Sequence, residues 1–73
     1  MAETTVDEIF GLRAGIVWNM LNQHGPSTMA DIVKATSLSR EEISGALGWL
    51  ARENKISVEM RGRSRVFSLR PDL

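Results

Sequence analysis

The chain has no cysteine and a single histidine, His24. Without cysteine there is no disulfide to support the fold, no thiolate nucleophile, no iron–sulfur ligation and no cysteine-type zinc site. One histidine excludes a His-rich metal site, so neither a metal nor a cofactor is expected. Net charge is also missing: nine basic residues stand against nine acidic ones, so the excess of positive charge that marks many nucleic-acid binders is absent. No apolar run approaches the roughly 18 residues needed to span a bilayer, and no signal-peptide pattern opens the chain. A cytoplasmic protein is the expectation. At 73 residues the core is thin, and small folds of this size need support from strong local structure or from a second copy.

The charge that is present is unevenly placed. Residues 1–36 carry two basic residues against four acidic, and residues 37–73 carry seven against five. The stretch 55–70 alone holds Lys55, Arg61, Arg63, Arg65 and Arg70 against Glu59, which points to a basic surface near the C-terminus.

Local signals divide the chain, read as one domain over residues 1–73, into five elements and a short strand. Thr5 with Glu8 forms a capping box that opens a helix over about 6–24, and Gly25-Pro26 closes it. At about 100° per residue, Ile9, Ile16, Val17, Met20 and Leu21 share one face, with Phe10 at its edge. Ser27-Thr28 is a short extended stretch. Thr28 and Asp31 then cap a helix over about 29–36, with Ile32, Val33 and Ala30 as its apolar side. Ser39 and Glu42 form a third box, opening a helix over about 40–53 with a core stripe of Ile43, Ala46, Leu47, Leu50 and Ala51. After Asn54 the period changes from 3.6 to 2. Strands are predicted over about 55–60 and 64–70. A two-residue turn at Gly62-Arg63 pairs Met60 with Arg65, Val58 with Phe67 and Ile56 with Leu69, which places both apolar sets on one side. Glycine first in the turn suits type II′.

This order predicts an α+β winged helix-turn-helix: three helices, a short strand and a C-terminal β-hairpin wing. The segment TMADIVKATSLSREEISGALGWLARENKI resembles the helix-turn-helix and first wing strand of that superfamily, and MRGRSRVF resembles its wing. The stretch LGWLARE, residues 47–53, leads straight into the wing. In this it is most similar to a family of small stand-alone prokaryotic winged-helix proteins to which no function is assigned. Such turns usually carry glycine where this chain has Ser37, so either Ser37 is left-handed at a cost of about 1 kcal/mol or the turn differs in shape.

The resemblance implies that the third helix enters a DNA major groove. Ser39, Arg40, Ser44, Gly48 and Arg52 are then the candidate contacts, Arg40 and Ser44 toward bases and Arg52 toward the backbone. Arg61, Arg63 and Arg65 surround the wing turn at a spacing of two, a pattern suited to phosphates. A different surface is marked by residues off the core stripes. Gly11, Gly15, Trp18 and Asn22 on the first helix, and Trp49 beside Gly45 and Gly48 on the third, are the candidate partner or homodimer interface, although Trp49 at the stripe's edge also suits the domain's own core. Glu41 and Glu42 read as helix-start charges and His24 as a helix-end residue. No catalytic constellation is found. Two functions are therefore expected to compete: a non-enzymatic DNA-binding module, either a transcriptional regulator or a chromosome-associated factor, and a protein-docking module that uses the Gly/Trp face without DNA.

Overall fold

The computed structural model describes residues 6–70. The elements are α1 (Val6–His24), β1 (Ser27–Thr28), α2 (Met29–Thr36), α3 (Arg40–Arg52), β2 (Ile56–Arg61) and β3 (Ser64–Leu69). The Thr5–Glu8 capping box and the Ile9 side chain lie outside the described residues. The sheet is antiparallel with order β1-β3-β2. Its hairpin register pairs Ile56 with Leu69, Val58 with Phe67 and Met60 with Arg65, as the alternation predicts. Gly62 has φ 61° while Arg63 is not among the residues with positive φ, which fits the type II′ turn.

Both predicted boxes among the described residues form. The Asp31 N–H donates to Thr28 Oγ1 at 3.2 Å and the Thr28 N–H to Asp31 Oδ2 at 3.0 Å. The Glu42 N–H donates to Ser39 Oγ at 3.1 Å and the Ser39 N–H to Glu42 Oε1 at 3.0 Å. Each pair satisfies two backbone donors that the helix start would otherwise leave open. Between α2 and α3, Ser37 is left-handed at φ 62°. Its N–H donates to Val33 O at 2.9 Å, and the Leu38 N–H donates to Thr36 Oγ1 at 3.2 Å. These bonds hold a serine where glycine would cost less.

The core joins Ala14, Val17, Met20 and Leu21 of α1 to Ile32, to Ile43, Ala46, Leu47 and Leu50 of α3, and to Ile56 and Phe67 of the sheet. Four details depart from the sequence reading. Ile16 is 40% exposed and Ala14 takes a core place, so the buried face of α1 is rotated toward Phe10. The cause lies on α3. Phe10 covers Gly45, where an added Cβ would sit 2.8 Å from its ring, and Phe10 stacks on Trp49 at 6.4 Å between centroids and 8° between planes. The Arg13–Glu42 ion pair, 3.1 Å, ties the same two helices. Ala30 and Ala51, assigned to apolar sides, are exposed. Val66, which alternates with Phe67 and so lies on the other face of β3, is nevertheless 7% exposed.

Candidate nucleic-acid interface

The start of α3 is fixed by the Ser39 cap, so Arg40 leaves the helix at a defined place. The wing is fixed by the hairpin register and by the glycine turn. These elements meet in a groove of about 430 Å³ lined by Thr28, Met29, Ala30, Arg40, Arg63, Ser64, Arg65 and Phe67. Three arginines drawn from two distant parts of the sequence thus share one recess, and none of its lining residues is acidic. The ion pairs among the described residues are Arg13–Glu42, Glu53–Lys55 and Glu59–Arg61. Arg40, Arg63 and Arg65 are exposed and take part in none of them. Unpaired guanidinium groups on a concave wall concentrate positive potential despite a neutral total.

The other predicted contacts separate from this cluster. Arg61 is exposed and pairs with Glu59 along its own strand at 3.3 Å. Arg52 is exposed and unpaired among the described residues, but it lies about 18 Å from Arg40 at 1.5 Å per residue. Ser44 and Gly48 are exposed between them, so α3 presents a polar, low-relief face. The Ser39 hydroxyl, a predicted DNA contact, accepts the capping bond at the helix start next to Arg40. Thr28, Met29 and Ala30 were missed as groove residues. Their signal was the Thr28–Asp31 box, which marks a second helix start facing the same recess. The carboxyls of Asp31 and Glu42 are both held below the ordinary carboxylate range, first by the backbone N–H of Thr28 and Ser39 respectively, then by those residues' side chains.

At the other end of α3, Gly11, Gly15, Trp18 and Trp49 line a second groove of about 260 Å³ with Ala14, Asn19, Leu50, Glu53 and Lys55. An added Cβ on Gly11 or Gly15 would meet nothing within 4 Å. Trp18 is 37% exposed. Trp49 is half-buried against the core, so its ring serves this chain first. Asn22 is exposed but lines a different hollow, beside Gly25 and Pro26. Gly45 is no open approach site either, since Phe10 fills it. No group of metal-ligating side chains occurs among the described residues. No helix among them is long and apolar enough to cross a membrane.

Three helices and a three-stranded antiparallel sheet ending in a hairpin define a winged helix-turn-helix. The chain matches the family described as Winged helix-turn-helix domain (DUF2582) over residues 3–69, and it belongs to that family. It is similar in structure to the protein BT2368 from Bacteroides thetaiotaomicron, with a TM-score of 0.82 and 32% identity over 89% of this chain and 79% of that one. It is also similar to Bordetella bronchiseptica BpsR, whose DNA binding is regulated by 6-hydroxynicotinic acid. That match has a TM-score of 0.75 and 27% identity over 82% of this chain, which spans only 44% of the BpsR chain. The Zα domain of Carassius auratus PKZ, solved in complex with Z-DNA, shares the fold at a TM-score of 0.73 and 21% identity, over 84% of this chain and 97% of that one. No curated protein matches the chain by sequence. The fold is thus one that DNA-binding proteins use.

Proposed function

We propose that this chain is a cytoplasmic, non-enzymatic module that binds double-stranded DNA, as a transcriptional regulator or a chromosome-associated factor. The first turns of α3 enter the major groove, with Arg40 and Ser44 near base edges and Arg52 on the backbone. Arg63 and Arg65 hold phosphates, and Arg61 joins them when a phosphate displaces Glu59. One observation carries the reading: Arg40, Arg63 and Arg65 converge on one acid-free groove with no ion-pair partner among the described residues. The likeness to BpsR, a protein that binds DNA, supports it. A symmetric pair of chains would present two such grooves to one duplex.

Duplex binding titrated with salt tests the proposal. Roughly four to six phosphate contacts give a slope of log K against log salt near −4 to −5. Affinity that is flat across salt, or no binding at low salt, sinks it. A second reading, docking of a partner chain at the Gly/Trp groove without DNA, is favoured by the open space over Gly11 and Gly15 beside Trp18. NMR shifts with duplex DNA separate the two. Shifts at residues 39–52 and 61–65 support DNA binding, and silence there supports docking.

A further inference from the structure

The order β1-β3-β2 leaves β2 as a free edge, with one side of Ile56–Arg61 unpaired among the described elements. The hairpin decides which backbone groups point to that side. The pair that flanks a two-residue turn, here Arg61 and Ser64, exchanges both hydrogen bonds, and bonded and non-bonded pairs alternate from there. Arg61, Glu59 and Ser57 therefore bond inward to β3. The Arg70 N–H donating to Lys55 O at 3.0 Å continues that alternation. Ile56, Val58 and Met60 turn their N–H and C=O groups outward. Their side chains share one face, where Val58 is 53% and Met60 60% exposed. Edge strands are normally defended by charge. Here the defence cancels, because Glu59 and Arg61 neutralise each other at 3.3 Å.

We propose that β2 pairs antiparallel with β2 of a second copy of this chain, about a two-fold axis through Val58. Residues directly opposite in an antiparallel ladder share a face, so the axis must pass through a residue position. An axis on Glu59 sets two carboxylates opposite each other. An axis on Met60 runs the strand into Gly62, whose φ of 61° leaves the extended region. The Val58 axis uses every outward N–H and C=O of the strand. Val58 then lies on Val58 of the second copy, and Met60 covers Ile56 of the second copy. Glu59 faces Ser57 of the second copy and lies diagonal to Lys55 of the second copy on one side and to Glu59 of the second copy on the other, across the axis. Lys55 and Arg61 meet at each end, but Glu53 and Glu59 accompany them at 3.8 and 3.3 Å. The product is a continuous sheet β1-β3-β2-β2-β3-β1 with its wing tips pointing in opposite directions. This gives the symmetric pair of the proposed function a surface other than the Gly/Trp face.

Sedimentation or light scattering of the full chain over a range of concentration tests the pairing, alongside amide exchange. The expected result is a mass that approaches twice the monomer, with slowed exchange at Ile56, Val58 and Met60 as it does so. Val58→Lys places like charges on the axis, and Val58→Pro removes an outward N–H that the hairpin does not use. Each weakens the dimer at least about tenfold, while Trp18→Ala leaves it intact. The proposal is overturned by a monomer at every concentration, by fast exchange at those three amides in the dimer, or by a dimer that Trp18→Ala alone dissolves. Should a Val58 variant misfold, the wild-type exchange pattern decides. A monomeric Val58→Pro chain that still binds duplex DNA leaves the DNA reading standing without the pairing. A dimer that binds no DNA leaves the pairing standing without the DNA reading.

Discussion

The arginine groove and the Gly/Trp groove lie at opposite ends of α3 and are built on opposite terms. The first is lined by Arg40, Arg63 and Arg65 with no acidic neighbour. The second holds the Glu53–Lys55 pair, 3.8 Å apart, beside two tryptophans and two uncovered glycines. A neutral total therefore conceals one strongly polarised recess and one whose charges balance. Net charge is a poor guide to partners when cations converge in space and anions are absorbed elsewhere. Glu42 is bonded to Ser39 and Arg13, and Glu59 to Arg61. Among the described residues Arg40, Arg52, Arg63 and Arg65 take part in no ion pair, and Glu41 stands exposed beside Arg40 without one.

The sharpest way to break this contrast is to remove the charge from one groove and the ring from the other. Arg63→Ala with Arg65→Ala is expected to weaken duplex binding at low salt at least about tenfold, or about 1.4 kcal/mol. The salt slope should become shallower by about two. Trp18→Ala should change duplex affinity by less than about twofold. Equal losses from both would show that the grooves do not divide the work. A smaller effect acts through position. Ser39→Ala removes the cap that aims Arg40 and should cost about 1 kcal/mol in denaturant unfolding.

Much of this was legible in the sequence because the signals were local. The Thr28–Asp31 and Ser39–Glu42 boxes, Gly25 at a helix end and Gly62 in its turn each fix a backbone position from a few neighbouring residues. The hairpin register followed because pairing and turn chemistry agreed. The failures came where two elements choose each other. Ile16 and Ala14 exchange places because Phe10 finds its partner at Gly45 and Trp49, a fit invisible in the periodicity of α1 alone. The site divided in the same way. The wing arginines could be named from their spacing, but their meeting with Arg40 and the start of α2 depends on tertiary packing; the pairing of Arg61 with Glu59, two residues back on the same strand, is local.

The glycines sharpen the comparison at lower energy. Gly15 has open space where a Cβ would stand, so Gly15→Ala should stabilise the chain by about 0.5–1 kcal/mol through helix propensity. Gly45→Ala gains the same propensity but drives a methyl to 2.8 Å from the Phe10 ring, so thermal unfolding should show it less stable than Gly15→Ala. Equal stabilisation by both would mean that Phe10 does not hold α1 against α3.

The smallest effect concerns acid, and it falls on the end of the molecule that carries the arginines. Asp31 and Glu42 cap the starts of α2 and α3, and both carboxyls are lowered in the folded chain by the backbone N–H groups they accept. The unfolded chain then binds protons at a higher pH than the folded one does. The stabilisation is full above the unfolded carboxylate range and is lost as pH falls through the lowered folded values. Both groups lie at the surface, so the change is modest and screened by salt. Unfolding followed from neutral to acid should therefore lose stability over that window, and Glu42→Gln or Asp31→Asn should each flatten the loss. Amide exchange should show the starts of α2 and α3, including the Arg40 turn, loosening before the Phe10–Trp49 contact does. An identical acid profile in the wild type and both variants would remove the caps as its cause.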